Sequence, residues 1–196
     1  MKFAALILAG GASRRMGQPK ALLPFGRNCF VDHLVEVYGA YCDPVIVVLG
    51  HEHERIRRGL QSYPQIVVNP DPERGQFSSL QCGLQQVPAD RDGFVFTPVD
   101  YPGVRRETVG LLVERLQEGH ALCAVPRYLG KHGHPVACHA CLKEEFLALP
   151  ADGQARAVVH RHRHNTVYVD VEDPGIVLDV DDPAAYARLL SEVAPA

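Results

Sequence analysis

A glycine-rich segment near the start of the chain carries the strongest chemical signal in the sequence. An apolar run over residues 3–8 is closely followed by the adjacent glycines Gly10 and Gly11. The cations that come next are Arg14, Arg15 and Lys20. Adjacent glycines allow positive φ angles and a close approach of the backbone to a ligand, and a turn of free N–H groups binds anions. With three full positive charges nearby, the segment predicts a site for a nucleoside triphosphate.

Two acidic segments farther along the chain could hold a divalent metal ion against that triphosphate. Asp100 ends a predicted buried strand, at the sheet edge where the ligand crevice of an α/β fold opens. Asp179 and Asp181 alternate on a predicted strand and therefore share one face. Since Mg²⁺ needs only one or two carboxylates, we expect Asp181 to be the second ligand and Asp179 to support it. The alternatives are helix caps, at Asp100 and at the Asp182 that precedes Pro183.

The segment before a predicted helix at residues 78–87 is expected to contact the nucleotide. Two prolines and Gly75 shape a loop there, and Ser78 and Ser79 follow it. The first N–H groups of a helix have no partner within the helix and can bind a base or a phosphate. The alternative is that Ser78 only caps the helix.

Histidines and cysteines between residues 132 and 141 raise the question of a zinc site. The residues concerned are His132, His134, Cys138, His139 and Cys141. Only one C-x-x-C pair is present, with no second pair at a structural spacing, so buried thiols are favoured over zinc. All six cysteines of the chain are expected to be reduced and buried, because their spacing does not indicate a disulfide framework.

Short apolar runs alternate with amphipathic helical patterns along the chain. Strands are predicted at residues 3–8, 45–49, 66–69, 94–99, 122–125, 167–170 and 176–180. Helices are predicted at residues 30–41, 52–60, 78–87, 105–118, 142–149, 154–162 and 183–193. This alternation predicts a three-layer α/β domain with a mostly parallel sheet and ligands at the carboxyl ends of its strands.

Composition excludes several classes of function. The 196 residues carry a formal net charge of -3 with dispersed cations, which gives no electrostatic footprint for nucleic acid. No apolar run approaches the roughly 18 residues of a membrane span, and the apolar start runs into arginines without a cleavage context. We therefore expect a cytoplasmic protein. The glycine spacing matches neither a P-loop nor a dinucleotide-binding G-x-G-x-x-G.

Six motifs, in order along nearly the whole chain, resemble those of one enzyme family. They are L-A-G-G-x-S-R-R-M-G-x-P-K-x-L-L-P-F-G over residues 8–26, N-P over residues 69–70 with G-Q-F-S-S-L over residues 75–80, P-V-D over residues 98–100, G-H-P-V over residues 133–136, D-G-Q-A-R over residues 152–156 and D-V-D-D-P over residues 179–183. The series is similar to the molybdenum cofactor nucleotidyltransferases of the MobA/MocA type, and more similar to their cytidylyltransferase branch. Two motifs depart from the usual pattern. L-A-G-G stands in place of the L-A-A-G of that branch and is closer to the guanylyltransferase branch, and P-V-D-Y-P stands in place of the G-D-x-P that is usual in the family.

The resemblance implies a three-layer α/β/α Rossmann-like fold of the nucleotide-diphospho-sugar transferase type. It implies a single NTP transferase domain over residues 1–196, with a nucleotide-binding half at residues 1–100 and an acceptor-binding half at residues 101–196. The implied reaction is a Mg²⁺-dependent transfer of a nucleoside monophosphate from CTP, or alternatively GTP, to a phosphorylated acceptor of the molybdopterin type, with release of pyrophosphate. Molybdoenzyme maturation factors are the implied protein partners.

The residues that the resemblance implies for this reaction fall into four groups. The catalytic residues are Arg15, Lys20 and Asp100. The nucleotide-binding residues are Leu8, Ala9, Gly10, Gly11, Arg15, Lys20, Gly75, Ser78 and Ser79. The acceptor-binding residues are Gly133, His134 and Pro135, and the metal ligands are Asp100 and Asp181. The alternative functions are a sugar-phosphate nucleotidyltransferase and a non-catalytic nucleotide-binding protein of the same fold.

Overall fold

The computed structural model describes residues 2–150 and 152–193, and its centre is one eight-stranded sheet. The strands are β1 (Phe3–Ala9), β2 (Pro24–Phe25), β3 (Asn28–Cys29), β4 (Val45–Leu49), β5 (Gln65–Val68), β6 (Gly93–Pro98), β7 (Cys123–Tyr128), β8 (Lys131–His132), β9 (Val136–His139) and β10 (Thr166–Asp170). Their order across the sheet is β10-β7-β9-β6-β1-β4-β5, with β8 paired to β7, while β2 and β3 form a separate hairpin. The predicted α/β class is confirmed.

The parallel strands bring the predicted site segments to one edge. Strand β1 lies between β4 and β6 and is parallel to both, so the loops that follow the three strands emerge together. Strand β9 is antiparallel to β6 and β7 and was not predicted. Its four residues form an apolar run too short to stand out beside the preceding glycine, histidine and proline.

In the part of the chain that the structure describes, seven helices lie where the sequence predicts them, to within two residues at each end. They are α1 (Phe30–Gly39), α2 (His53–Gly59), α3 (Gln76–Gln85), α4 (Arg106–Gln117), α5 (Lys143–Ala148), α6 (Ala155–Arg161) and α7 (Pro183–Glu192). The largest difference at a start is in α3, which begins at Gln76 rather than Ser78. No helix in the described ranges has the length and apolar character needed to cross a membrane.

The strand predicted at residues 176–180 is wrong. This segment contains the end of a 3-10 turn, Pro174–Ile176, followed by residues without regular structure. The turn is fixed because the Asp173 side chain accepts a hydrogen bond from the Gly175 N–H. The apolar pattern of the segment is explained by burial instead, since Ile176 and Val180 both belong to the core. Strand alternation therefore does not position Asp179 and Asp181.

The two faces of the sheet bury separate hydrophobic clusters. Along β1, Ala5 and Ile7 pack on the face that includes α1 and α4, whereas Ala4 and Leu6 pack on the face that includes α3 and α5. Burial on both faces explains why β1 reads as a continuous apolar run. This double packing holds the carboxyl end of β1 in place for the loop that follows.

The cysteines are free, but not all are buried. Cys42, Cys123 and Cys138 are buried, while Cys141 is exposed and Cys29 is intermediate, as is Cys82. The expectation that all six are buried is therefore wrong for three of them.

Candidate active site

The loop after β1 packs closely against the start of α3. A Cβ atom added at Gly10 would lie 2.7 Å from the Ser79 Oγ, whereas one at Gly11 would meet nothing within 4 Å. The predicted positive φ at these glycines is wrong, since the left-handed residues of the loop are Ser13 and Gly17. Gly10 is therefore required for close packing. The left-handed backbone lies three and seven residues after it, at Ser13 and Gly17.

Lys20 lies at the centre of an ion-pair cluster. Its Nζ is 2.7 Å from Asp181 Oδ1 and 3.2 Å from Asp100 Oδ1. Arg15 reaches the same site, with its Nη2 2.7 Å from Asp181 Oδ2. The Lys20 side chain is only 9% exposed, and its backbone N–H donates to the Ser13 Oγ at 3.0 Å. The fold thus brings together four residues separated by up to 166 positions.

A backbone hydrogen bond joins the two segments that carry the aspartates. The Val180 N–H donates to the Asp100 carbonyl oxygen at 2.9 Å. Carboxylate oxygens of Asp100, Asp179 and Asp181 all lie within 4.8 Å of one another. Within the described residues, the histidines and cysteines of residues 132–141 form no comparable group. Hard oxygen donors at this separation are suited to a divalent cation such as Mg²⁺.

Helix capping does not explain the position of Asp100. The cap of the next helix, α4, is Arg105. The predicted cap at Asp182 is confirmed, because its Oδ1 accepts a hydrogen bond from the Ala185 N–H at 2.8 Å. The neighbouring Asp181 therefore points its carboxylate to Lys20 while Asp182 caps α7.

The three carboxylates outnumber the two cations that contact them, Lys20 and Arg15, so negative charge is in excess. Burial raises the pKa of Asp100 to about 6, although the Lys20 ammonium favours the charged form. Burial, and then the neighbouring Asp181 carboxylate, raise the pKa of Asp179. The hydrogen bond from Lys20 lowers the pKa of Asp181 below its usual value, and Arg15 adds to this effect. A divalent cation would compensate the remaining negative charge.

A cavity of about 450 Å³ opens over this cluster, and we call it the nucleotide cavity. The predicted site residues that line it are Leu8, Ala9, Gly10, Gly11, Arg15, Lys20, Gly75, Ser79, Asp100 and Asp181. Its wall also includes residues that the sequence interpretation did not assign to the site, among them His51, Ile56, Pro72 and Glu73. The Glu73 carboxylate pairs with Arg14 at 3.7 Å and with His51 at 3.3 Å.

The structure does not bring Ser78 into the nucleotide cavity. Its hydroxyl donates to the Gly75 carbonyl oxygen at 2.7 Å and accepts from the Asn69 Nδ2 at 2.8 Å. Ser78 is also not the cap of α3, because the cap position is Gly75. Its role in the described structure is to hold the loop between β5 and α3.

A second cavity, of about 880 Å³, adjoins the first, and we call it the acceptor cavity. Leu8, Gly75 and Gln76 line both cavities. Of the predicted acceptor-binding residues, Gly133 and His134 line it, whereas Pro135 is buried outside its wall. The described residues of its wall include three permanent cations and three histidines: Arg74, Lys131, Arg156, His132, His134 and His160. The acidic residue among them is Asp152.

Aromatic rings form part of the wall of the acceptor cavity. The rings of His132 and Tyr168 stack with centroids 4.4 Å apart and an interplanar angle of 14°. The His134 ring packs on Tyr101 at 4.8 Å, and burial lowers the pKa of His134 to about 4, so this imidazole is neutral. Of these residues the sequence predicted only His134 for the acceptor, and Tyr101 and Tyr168 were not predicted.

Comparison with known proteins assigns the chain to a family. Residues 5–167 match the model of the MobA-like NTP transferase domain. A protein of Bacillus cereus (strain B4264) named "Probable molybdenum cofactor guanylyltransferase" is 29% identical over 178 residues, covering 88% of this chain and 86% of that protein. Nicotine blue oxidoreductase of Paenarthrobacter nicotinovorans is 31% identical over 196 residues, covering 94% of this chain and 95% of that protein.

Solved structures agree with this assignment. The crystal structure of Rv0371c from Mycobacterium tuberculosis H37Rv superposes with a TM-score of 0.85 at 29% identity, over 98% of this chain and 100% of that one. The same protein has been solved in complex with manganese, with a TM-score of 0.80 at 27% identity over 98% of this chain and 100% of that one. Nucleotidyltransferases of this family use a nucleoside triphosphate and a phosphorylated acceptor and need a divalent metal. The chain belongs to the family of MobA-like NTP transferases.

Proposed function

We propose that the protein transfers a nucleoside monophosphate from a nucleoside triphosphate, with CTP favoured over GTP, to the phosphate of a molybdopterin-type acceptor. Pyrophosphate is the second product. The observation that carries the proposal is the cluster of Lys20, Asp100 and Asp181 in a cavity that shares a wall with a second, larger one. A transfer between two phosphorylated substrates requires two adjoining binding sites and charged residues where the phosphates meet. The nucleotide cavity and the acceptor cavity meet both requirements.

Asp100 and Asp181 would hold Mg²⁺, with Asp179 as a further oxygen donor. The fit rests on the close approach of the three carboxylates, and the pKa of Asp100 is raised by burial and, to a smaller extent, by the two neighbouring aspartates. When bound, the ion would neutralise charge on the α-phosphate and the attacking oxygen. Mg²⁺ is proposed because a site of few carboxylates leaves room for the waters that this ion retains.

The cations of the loop after β1 would bind the triphosphate. Arg15 and Lys20 both contact Asp181, so both already point into the nucleotide cavity. There they would neutralise the triphosphate and the leaving pyrophosphate, while backbone groups of Ala9, Gly10 and Gly11 contact the nucleotide. An acceptor phosphate oxygen attacks the α-phosphorus in line and the bond to pyrophosphate breaks. Positioning and charge neutralisation supply most of the catalysis in such transfers.

The acceptor cavity favours a planar, anionic acceptor. Arg74, Lys131 and Arg156 outnumber the single acidic residue of its wall, Asp152. The stacked rings of His132 and Tyr168 offer a flat surface for a heterocycle. Gly133 and His134 complete the wall on the side of Tyr101. A pterin that carries a phosphate matches both features, whereas a hexose phosphate matches only the charge.

The test is a substrate panel read out as pyrophosphate release. The purified protein is given CTP, GTP, UTP or ATP with Mg²⁺, together with molybdopterin or a hexose 1-phosphate. Release that requires molybdopterin supports the proposal, and release with the hexose phosphate favours the sugar-phosphate alternative. Tight nucleotide binding without any pyrophosphate would indicate a non-catalytic protein. The reaction draws on cytoplasmic nucleotides, and molybdoenzyme maturation factors are the proposed recipients of its product.

The relative named as an oxidoreductase supports a second candidate function. Its identity of 31% extends over 94% of this chain, so family membership alone does not distinguish reduction from nucleotidyl transfer. The site favours transfer, because a hydride donor has no need of three carboxylates within 4.8 Å. Oxidation or reduction of nicotine blue by the protein, in the absence of pyrophosphate release with any acceptor, would reverse this preference.

A further inference from the structure

We propose that His134 recognises the acceptor as an uncharged hydrogen-bond donor, through an N–H at Nε2 that faces the acceptor cavity. The ring would orient an uncharged oxygen or nitrogen atom of the acceptor. It would supply neither a positive charge for the acceptor phosphate nor a base for the reaction. This inference rests on the proposed function and names the chemical role of one residue in that site.

The two ring nitrogens of His134 have different surroundings. Nδ1 is buried and has no hydrogen-bond partner among the residues that the structure describes. Nε2 has no hydrogen bond to another described residue either, but, unlike Nδ1, it does not belong to the fully buried atoms. Because His134 lines the acceptor cavity, Nε2 is the nitrogen that a ligand in this cavity can reach.

The backbone around His134 explains why Nδ1 has no donor to accept from. The Gly133 N–H donates to the Pro126 carbonyl oxygen at 3.1 Å, and the His134 N–H donates to the Ile176 carbonyl oxygen at 2.9 Å. The next residue, Pro135, has no N–H. The backbone donors nearest in the chain are therefore engaged or missing, and packing rather than hydrogen bonding holds the ring.

Aromatic rings supply this packing. The centroid of the His134 ring lies 4.8 Å from that of Tyr101, at an interplanar angle of 48°. It lies 6.4 Å from that of Phe96, at 64°. Burial lowers the pKa of His134 to about 4, so the ring is uncharged at neutral pH. An aromatic, uncharged part of the wall suits an uncharged part of the acceptor better than its phosphate.

The single ring hydrogen of a neutral His134 is placed on Nε2 by its surroundings. On Nδ1 it would be a buried donor without an acceptor, and among backbone groups an orphaned N–H is rarer than an under-satisfied carbonyl oxygen. On Nε2 the hydrogen is available to a ligand. The acceptor phosphate attacks as an anion, since a phosphate monoester is ionised at neutral pH. The transfer therefore needs no base at this ring.

Nitrogen-15 NMR of the imidazole tests the position of the hydrogen without any turnover. The protein is labelled with ¹⁵N-histidine, and the signal of His134 is the one that is lost in His134→Gln. We expect the signal of a neutral ring with its hydrogen on Nε2. His139 is the reference, because its Nδ1 accepts from the Cys141 N–H at 3.4 Å, which leaves the hydrogen of the neutral ring to Nε2. A hydrogen on Nδ1 of His134, or a charged ring at neutral pH, would overturn the inference.

Substitutions test which nitrogen the acceptor uses. The amide group of glutamine can take the place of Nε2, whereas that of asparagine can take only the place of Nδ1. His134→Asn should raise the KM for the acceptor by about three- to tenfold, the scale of one neutral hydrogen bond. The kcat and the KM for the nucleotide should change much less. His134→Gln should recover most of the loss in acceptor KM.

His139→Gln is the matched control, because it makes the same substitution five residues away and outside both cavities. Its KM for the acceptor should equal that of the wild type. Equal losses in His134→Asn and His134→Gln, or a loss in kcat rather than in KM, would overturn the inference.

Failure of the proposed function would give a different result. If no acceptor releases pyrophosphate, binding of a pterin without a phosphate, followed by its fluorescence, replaces the KM for the acceptor. The predicted NMR signal without pyrophosphate release would overturn the proposed function alone. Pyrophosphate release with the hydrogen on Nδ1 would overturn the inference alone.

Discussion

Two carboxylates of this molecule, the buried Asp32 and the partly buried Asp100, have opposite environments. Asp32, in the first turn of α1, is 5% exposed and accepts hydrogen bonds from the Gln61 N–H, the Ser62 N–H and the Ser62 hydroxyl. The Cys29 thiol also donates to it at 3.2 Å. Asp100 has one cationic partner, Lys20, and shares it with Asp181.

The difference is visible in the pKa values. Burial alone would raise the pKa of Asp32, but the hydrogen bonds from Ser62 and Gln61 outweigh it and the pKa is lowered. Burial raises the pKa of Asp100 to about 6 despite Lys20, and two neighbouring aspartates add to the increase. A carboxylate surrounded by donors stabilises the fold, whereas one left with excess charge is prepared for a ligand. Burial of a carboxylate by itself therefore does not indicate function.

The largest expected effect is on turnover in Asp100→Asn. Replacing one carboxylate of the proposed metal site should reduce pyrophosphate release by at least about 10²–10³-fold, the scale of one lost electrostatic contact in the transition state. Asp32→Asn is the matched control, because it makes the same substitution at an aspartate outside the cavity. Equal turnover in the two variants would remove Asp100 from the mechanism.

Lys20→Ala should reduce turnover by about 10²–10³-fold, because it removes the charge that would neutralise the triphosphate. The assay is the same pyrophosphate release. Lys143→Ala serves as the comparison, since the Lys143 ammonium donates to the Val87 carbonyl oxygen at 3.0 Å, away from both cavities. Near-normal rates in Lys20→Ala would contradict the proposed role.

Asp32→Asn should lower the free energy of unfolding by about 1–3 kcal/mol, because several donors lose a charged acceptor. Urea unfolding monitored by circular dichroism measures this change. The folded variant should keep its turnover. Unchanged stability would show that the hydrogen bonds of Asp32 are not what distinguishes it from Asp100.

The smallest expected effect is on the pH dependence of stability, measured without divalent metal. Asp32 and Asp100 should contribute to this dependence in opposite directions. Asp32 has a lowered pKa in the folded state, so its contribution is present above its unfolded pKa and is lost as the pH falls through the folded value. Asp100 has a raised pKa, so its charge destabilises the fold as the pH rises towards and beyond about 6. Asp100→Asn should therefore be more stable than the wild type at about pH 8 and equal to it at low pH. A loss of stability at the higher pH would contradict the comparison.

Most residues of the site could be predicted from the sequence, whereas the backbone structure that positions Asp179 and Asp181 could not. The strands β1, β4 and β6 and all seven helices follow from apolar periodicity, which depends only on burial. Asp179 and Asp181 were expected together because of strand alternation, yet a hydrogen bond from Val180 to Asp100 holds their segment in place. That contact joins residues far apart in the chain and has no local signal. The wall of the acceptor cavity, including Tyr168 and Arg156, depends in the same way on long-range packing.

Binding of Mn²⁺ in the presence of CTP, followed by electron paramagnetic resonance, compares the two carboxylates most directly. The wild type and Asp32→Asn should both bind the ion, and Asp100→Asn should bind it far more weakly while remaining folded. Equal binding of Mn²⁺ by all three proteins would contradict the account, because Asp100 would then not be a ligand of the metal ion that the transfer needs.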